Sequence, residues 1–215
     1  MRHKAVIFDL GGVVLDSPLH AIARFERDSG IPAGFVNRVV MSTGPTGAWS
    51  RLERGELRVE AWIPAFERDC AEAGQRLSAA RMMDEIRKAS EPRPRMLAAI
   101  RAIRAQGLRV GALTNNWVAD EPSDNRLGQE LRSMFDSFVE SALVGLRKPD
   151  PRIYQHACQQ LSVAPSESIF LDDIGANLKA ARALGMHTIK VDTPEQALAE
   201  LEAALEFPLD ERASA

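Results

Sequence analysis

The sequence predicts an α/β protein: a doubly wound parallel sheet with an all-helical segment inserted after the first strand. Short apolar strand patterns alternate with helical patterns from about residue 91 onward, which is typical of a parallel sheet with crossover helices. Between residues 17 and 90 the pattern is helical, with little strand. We therefore expect a sheet-containing core of residues 1–16 and 91–215 and a helical insert of residues 17–90.

The first strand is the continuous apolar run Ala5–Phe8, the pattern of a strand buried on both faces. Asp9 follows at its carboxyl end, and Gly11 and Gly12 come soon after. Ligands of open α/β sheets bind beyond the carboxyl ends of the strands, so Asp9 is a candidate nucleophile or metal ligand. Taken alone, the stretch is more often an aspartate that ends a strand before a tight glycine turn.

Five helical patterns are expected within the insert. The first begins at Ser17-Pro18, where a serine N-cap precedes proline at the first helical position. The apolar faces of the five helices carry Ile22 and Phe25; Phe35, Val36, Val39 and Val40; Trp49 and Leu52; Trp62, Ile63, Phe66 and Cys70; and Met82, Met83 and Ile86.

After the insert, helices and strands alternate. Strands are expected at residues 108–113, 138–139, 168–171 and 188–191, and a loop with a short helix at 120–129. Pro149 and Pro151 indicate the start of a helix, and a last helix is expected at 194–205, followed by a frayed tail from Pro208 to Ala215. Further helical faces carry Met96, Leu97, Ile100 and Ile103; Ile153, Tyr154, Ala157 and Leu161; and Leu178, Ala181 and Leu184.

Composition narrows the function classes. The 215 residues are 45% hydrophobic and 27% charged, which is ordinary for a globular protein, and the net charge of −3 argues against a nucleic-acid partner. Cys70 and Cys158 have no metal-type spacing and indicate reduced thiols. No apolar stretch is long enough for a membrane span, and no signal peptide is visible. We expect a cytoplasmic protein without a membrane partner, either a monomer or a homodimer.

Unusual polar residues follow three of the predicted strands: Asp9, Thr114-Asn115 and Asp172-Asp173. In a parallel sheet these ends lie on one edge, so three carboxylates come close together and favour a cation between them. The ligands are all oxygen, which fits Mg²⁺. Lys148, in a polar loop before a helix, is suited to neutralise both a phosphate and a carboxylate nucleophile.

Each of these residues also has a simpler interpretation. Thr114-Asn115 alone is more often the start of a loop, Asp172-Asp173 an N-cap pair, and Lys148 a solvated lysine. The four histidines have no partner spacing and are expected to be structural or at the surface. The three tryptophans are expected to pack, although Trp117 is near enough to Thr114 to touch a substrate. No strand is followed by the dinucleotide-binding glycine pattern.

With these residues in place, the sequence resembles the haloacid dehalogenase superfamily. Asp9 begins the first motif of that superfamily, Thr114 carries the second, Lys148 the third, and Asp172-Asp173 the fourth. Residues 113–117, 144–154 and 170–179 resemble more specifically the N-terminal phosphatase domain of soluble epoxide hydrolases and the corresponding domain of some acyl-CoA dehydrogenases. The resemblance implies a Rossmann-like core, with the insert acting as a cap over the site.

The resemblance also implies a reaction. Asp9 would attack a phosphate monoester and form an aspartyl-phosphate, which water hydrolyses. Mg²⁺ would be held by the Asp9 carboxylate, the Gly11 carbonyl and Asp173, with Asp172 acting directly or through water.

The phosphate-binding set that the resemblance implies is Thr114, the Asn115 backbone, Lys148 and Gly12. Lys148 would also orient Asp9. Asn177, one helical turn past Asp173, would orient a metal-bound water. The expected partner is a small phosphorylated substrate, chosen by the cap, with Trp49 or Trp62 in contact with it.

One departure from the family pattern matters. Phosphatases of this superfamily usually carry a second Asp two residues after the nucleophile, where this chain has Gly11. That Asp is a general acid–base group, and such groups contribute about 10²–10⁴-fold to the rate. Asp16 and His20 lie near the first motif but cannot be placed as substitutes. Two alternatives stay open: a metal-independent 2-haloacid dehalogenase, and a phosphate-ligand sensor that has lost turnover.

Overall fold

The computed structural model describes residues 3–118 and 126–209. Its centre is a five-stranded sheet in the order β3-β2-β1-β4-β5, in which all neighbours are parallel. The strands are β1 (Ala5–Phe8), β2 (Arg109–Thr114), β3 (Ser137–Glu140), β4 (Ser168–Asp172) and β5 (His187–Lys190). The predicted α/β class with a parallel sheet is confirmed.

Strand β1 occupies the middle of the sheet and all four of its residues are buried. Its register places Phe8 beside Ala112 of β2 and Leu171 of β4. The residues that follow these strands therefore meet at one edge, because parallel strands share a direction. Asp9 extends this edge, and its backbone N–H donates to the Leu171 carbonyl over 2.9 Å.

Helices fill both faces of the sheet and the insert. Two short 3₁₀ turns, Gly44–Thr46 and Pro165–Glu167, accompany the α-helices. The helices are α1 (Pro18–Asp28), α2 (Phe35–Thr43), α3 (Ala48–Glu53), α4 (Val59–Glu72), α5 (Ala79–Lys88), α6 (Pro94–Ala105), α7 (Arg126–Ser133), α8 (Ser141–Val144), α9 (Pro151–Gln160), α10 (Gly175–Ala183) and α11 (Pro194–Leu205).

The alternation of β1 residues supplies a core to each face of the sheet. Val6 and Phe8 pack with α6 and α11, whereas Ala5 and Ile7 pack with α9 and α10. A strand buried on both faces must be apolar at every position, which explains the uninterrupted run in the sequence.

Helices α1–α5, which we call the helical insert, bury a third apolar cluster of their own. Its centre is Trp62, which stacks on Phe66 with ring centroids 5.1 Å apart, while Trp49 meets both rings edge-on. The expected apolar faces of the five helices all contribute to this cluster. The insert is therefore a packed unit in its own right.

The two chain segments that connect the insert to the sheet run side by side. Leu15 and Pro92 form an antiparallel bridge. The Asp16 N–H donates to the Glu91 carbonyl, and the Arg93 N–H donates to the Val14 carbonyl, both over 2.9 Å. The chain thus leaves and re-enters the core at one place.

Several element boundaries differ from the prediction. Strand β2 begins and ends one residue later than expected, and β5 begins and ends one residue earlier. Helix α9 begins only at Pro151, because the Asp150 side chain caps it by accepting from the Arg152 N–H. The short helix α8 was not expected, since four residues are too few for a helical repeat in the sequence.

Two predictions fall partly outside the described residues. Residues 120–125 of the expected loop and 210–215 of the expected frayed tail are among those not described. Before that point the tail is packed rather than frayed, since Leu209 is buried in the core. In the part of the chain that the structure describes, no helix is long and apolar enough to cross a membrane.

A glycine fixes the contact between the insert and α8. Gly55 has a φ of +70°, and a Cβ there would lie 2.2 Å from the Ala142 carbonyl oxygen. Gly74, at the same position after α4, has a φ of +98° but open space around its Cα. The two residues therefore share the backbone strain of a substitution but not the steric clash.

We expect Gly74→Ala to lower the free energy of unfolding by roughly 1–2 kcal/mol, the cost of left-handed backbone for a residue with a Cβ. Gly55→Ala should cost about 1–3 kcal/mol more, because the new methyl group meets backbone that cannot move aside easily. Urea unfolding of both variants measures the difference. Equal losses would show that the insert does not depend on this contact.

Candidate active site

Asp9 and Asp172 lie at the ends of neighbouring strands, and a buried lysine joins them. The Lys148 Nζ lies 2.9 Å from Asp9 Oδ1 and 2.7 Å from Asp172 Oδ2, and its side chain is only 1% exposed. The solvated-lysine interpretation of Lys148 is therefore wrong. Removing one member of such a buried ion pair typically costs about 3–5 kcal/mol, because the remaining charge loses its partner.

Asp172 is held from the other side as well. Its Oδ1 accepts from the Ile174 N–H over 2.7 Å, and the Asn177 amide donates to both of its carboxylate oxygens over 3.1 Å. Tyr154 in turn donates to the Asn177 carbonyl over 3.0 Å. The Asn177 amide therefore positions Asp172, and Asn177 also lines the pocket described below.

Burial and neighbouring charges shift the ionisation of this group of residues. Burial raises the pKa of Asp9 well above its ordinary value, and the Asp172 carboxylate adds to this while Lys148 opposes it. Burial likewise raises the pKa of Asp173, helped by Asp172. For Lys148, burial acts to lower the pKa, but the Asp9 and Asp172 carboxylates outweigh it and raise the pKa.

The three carboxylates fit a hard cation. One carboxylate oxygen from each of Asp9, Asp172 and Asp173 lies within 4.8 Å of the other two. The donors are all oxygen, and burial together with the neighbouring Asp172 carboxylate raises the pKa of Asp9 and of Asp173, so a cation would favour their ionised forms. Both oxygens of Asp172 accept hydrogen bonds within the protein, whereas the contacts of Asp9 with Lys148 and the Leu10 N–H fall on Oδ1, so Asp9 and Asp173 are the better placed pair of ligands.

The glycines after Asp9 have distinct surroundings. Gly11 lines the pocket described below, and a Cβ on it would lie 3.0 Å from Cδ of Pro18. Gly12 lies against Asp173, whose Oδ2 would be 2.2 Å from a Cβ there. The Gly12 N–H donates to the Leu15 carbonyl, so the structure does not bring Gly12 to the pocket with the other predicted phosphate-binding residues.

Asn115 ties two loops of the site together. Its side-chain Oδ1 accepts from the Lys148 N–H over 2.8 Å, and its Nδ2 donates to the Lys148 carbonyl over 3.1 Å. Thr114, at the end of β2, is buried and faces the pocket. The side chain of Asn115 thus fixes the backbone that carries Lys148, which the sequence did not reveal.

A pocket of about 360 Å³ opens over these residues, between the sheet edge and the insert. Its floor carries Asp9, Thr114, Lys148 and Asp173. Its opposite wall is mainly apolar and comes from the insert, with the residues Leu19, Ile22, Val36, Val40, Met41, Pro45 and Trp49. A ligand with a polar head and an apolar body would match this division.

Other candidates from the sequence lie elsewhere. Trp49 reaches the pocket wall, but Trp62 is fully buried in the insert, so it does not contact a pocket ligand. Asp16 and His20 are exposed and do not line the pocket. Trp117 packs against the apolar cluster of the insert.

Sequence reasoning missed one further group. Arg147 Nε lies 2.6 Å from Glu53 Oε2 of the insert, and Arg147 also donates to the Ser50 hydroxyl over 3.1 Å. Glu53 and Arg147 both line the pocket. A charged residue within a short helix and an arginine in a loop carry no sequence signal that pairs them across 94 positions.

The chain matches the family model of haloacid dehalogenase-like hydrolases over residues 3–185. It is 42% identical over 210 residues to mouse acyl-CoA dehydrogenase family member 10, covering 96% of this chain and 20% of that protein. It is 37% identical over 214 residues to bifunctional epoxide hydrolase 2 of Sus scrofa, covering 94% and 39%. The chain thus spans well under half of these two relatives.

A relative of similar length is sesquiterpene phosphatase astK of Aspergillus oryzae, 28% identical over 184 residues, with 85% of this chain and 87% of that protein covered. Among solved structures, a predicted HAD-like family hydrolase from Porphyromonas gingivalis superposes with a TM-score of 0.70 at 24% identity, covering 95% and 98%. The L-2-haloacid dehalogenase of Xanthobacter autotrophicus shares the fold at a TM-score of 0.61 and 19% identity, covering 98% and 85%. This chain belongs to the haloacid dehalogenase-like hydrolases.

Proposed function

We propose that the protein is a Mg²⁺-dependent phosphatase that hydrolyses a small phosphate monoester through an aspartyl-phosphate. The observation that carries the proposal is the pairing of Asp9 with a fully buried Lys148 at the pocket floor, beside Asp173. A buried carboxylate with a fixed cation is preorganised to attack an anionic substrate. The phosphatase among the relatives of similar length adds support.

In the proposed reaction, a carboxylate oxygen of Asp9 forms a bond to phosphorus as the bond between phosphorus and the alcohol oxygen breaks. Water then attacks the aspartyl-phosphate and releases inorganic phosphate and free Asp9. Lys148 favours the ionised form of Asp9 against the effect of burial, and together with Thr114 and the Asn115 backbone it binds the phosphoryl oxygens. Mg²⁺, held by Asp9, Asp173 and the Gly11 carbonyl, with Asp172 behind them, would offset charge on the phosphoryl group.

The missing acid at position 11 bears on the leaving group. Gly11 cannot donate a proton, so in this proposal the departing oxygen takes its proton from water. Phosphate esters of alcohols that leave readily are then hydrolysed faster than esters of simple alkyl alcohols. A larger residue at position 11 would require the Pro18 ring to move by a few tenths of an ångström, because a Cβ there would lie 3.0 Å from Pro18 Cδ.

The same glycine is compatible with a second reaction, the metal-independent hydrolysis of a 2-haloacid by Asp9. Asp173 argues against it, since a second carboxylate on the pocket floor would repel a carboxylate substrate. Chloride release from 2-chloropropionate without metal, together with no phosphate release in Mg²⁺, would overturn the phosphatase proposal. A sensor would bind phosphate in Mg²⁺ without turnover.

Asp9→Asn should lower hydrolysis of p-nitrophenyl phosphate in Mg²⁺ by on the order of 10⁴-fold, because the amide is a poor nucleophile. Phosphate release in steady state measures the loss, and circular dichroism checks that the variant folds. Full activity of this variant would exclude the covalent route.

Asp173→Asn should raise the Mg²⁺ concentration for half-maximal activity by at least about tenfold, since it removes a charged ligand. Asp16→Asn is the matched control, because Asp16 is an aspartate between β1 and α1 that is exposed and does not line the pocket. EDTA should abolish the activity of the wild-type protein. Magnesium titration of the three proteins tests this, and activity that persists in EDTA would contradict it.

Gly11→Asp alone should raise kcat for an alkyl phosphate only slightly, because the new Cβ would lie 3.0 Å from Cδ of Pro18. Gly11→Asp with Pro18→Ala should raise kcat for an alkyl phosphate by about 10²-fold, the lower range for a general acid. The gain on p-nitrophenyl phosphate should be much smaller, since that leaving group needs little protonation. Pro18→Ala alone is the control, and equal gains on both substrates would argue against an acid role.

A further inference from the structure

One ion pair of the pocket joins the insert to the core. Glu53 ends α3, is 7% exposed, and its Oε2 lies 2.6 Å from Arg147 Nε. Arg147 immediately precedes Lys148, so the pair lies one residue from the cation that holds Asp9. The pair is therefore placed where it can act on a substrate bound beyond the phosphate site.

The Glu53 carboxylate is tied at both oxygens. Trp49 Nε1 donates to Oε1 over 2.9 Å, and Asn115 Nδ2 approaches Oε2 at 3.5 Å, beside Arg147. Ser50 accepts from Arg147 Nη1 over 3.1 Å. The guanidinium is thereby held toward the insert and its charge is matched by a fixed carboxylate.

This matching leaves the pocket with little free positive charge. Of the described residues that line it, Arg147 and Lys148 are the two cations. Lys148 is occupied by Asp9 and Asp172, and Arg147 by Glu53. A second anionic group on a substrate would have to displace Glu53 from Arg147 and then lie beside the displaced carboxylate.

The rest of the wall suits an apolar group. Leu19, Ile22, Val36, Val40 and Met41 face the pocket from α1 and α2, and Trp49 faces it from α3. Transfer of an alkyl chain onto such a surface is favourable by about 0.8 kcal/mol for each buried methylene, whereas a carboxylate loses its hydration without gaining a partner.

We propose that Glu53 is a specificity-determining residue: by neutralising Arg147, it restricts the site to phosphate monoesters whose alcohol part is uncharged and apolar. The inference rests on the proposed function, since it assigns the substrate class of the same pocket. The ion pair has two roles that substrates can distinguish. Its anchoring of the insert affects all substrates equally, whereas its neutralisation of Arg147 affects only substrates with a second anionic group.

The test compares two ligand pairs that differ only in a terminal carboxylate. Calorimetry measures the binding of hexylphosphonate and of 6-phosphonohexanoate to the Mg²⁺-loaded protein. Steady-state kinetics measures kcat/KM for hexyl phosphate and for 6-phosphooxyhexanoate. The wild-type protein should favour the uncharged member of each pair by at least about tenfold, the effect expected when a charged group is left without its partner.

Glu53→Gln keeps the shape of the side chain and an acceptor for Trp49 but removes the charge that masks Arg147. We expect it to shift both preference ratios toward the carboxylate by about tenfold or more. Glu53→Gln with Arg147→Gln should return the ratios toward the wild-type values, because no free cation remains. Glu56→Gln is the matched control: Glu56 is an exposed glutamate of the same segment, paired with Arg54 and Arg51, and its loss should leave the ratios unchanged.

The outcomes separate the inference from the proposed function. Binding of the phosphonates with the same ratio in wild type and Glu53→Gln would overturn the inference alone, as would equal losses on both substrates. Binding with the expected shift but no phosphate release would support the inference as a ligand preference and overturn the phosphatase proposal. Failure of both phosphonates to bind the wild-type protein in Mg²⁺ would overturn both the inference and the phosphatase proposal.

Discussion

The placement of one buried ammonium group organises the site. Lys148 satisfies Asp9 and Asp172 at once, which requires β1 and β4 to be neighbours and their ends to be level. It also requires the loop that carries Lys148 to approach the sheet edge, and the two hydrogen bonds between the Asn115 side chain and the Lys148 backbone hold it there. Without the cation, two carboxylates would face each other with little water, an arrangement that strongly disfavours ionisation of both.

Much of the fold is predictable from local patterns. The apolar run at β1, the N-cap serine Ser17 and the final helix all follow from the nature of successive residues, and the structure confirms them. The gathering of Asp9, Thr114 and Asp172 is predictable too, because it needs only the rule that parallel strands end on one edge. Boundaries shift by a residue where pairing with a neighbouring strand, rather than composition, decides the end of a strand.

The contacts between distant segments were beyond prediction. No local pattern indicates that Glu53 contacts Arg147, or that the Asn115 side chain binds the Lys148 backbone. Each contact depends on how the insert and the loops pack against the sheet. The order of residue types in the sequence does not specify that packing.

The adjoining connections at Leu15 and Pro92 affect how the helical insert could be exchanged in evolution. The chain leaves the core and returns to it at one point, so the two ends of the helical insert lie side by side. The pairing register of the strands therefore does not depend on the length of the insert. An exchange of that stretch by recombination would replace the apolar wall and Glu53 together, yet leave Asp9, Lys148 and Asp173 undisturbed. The apolar wall of the pocket and Glu53 thus lie in one contiguous stretch of sequence, whereas Asp9, Lys148 and Asp173 lie on either side of it.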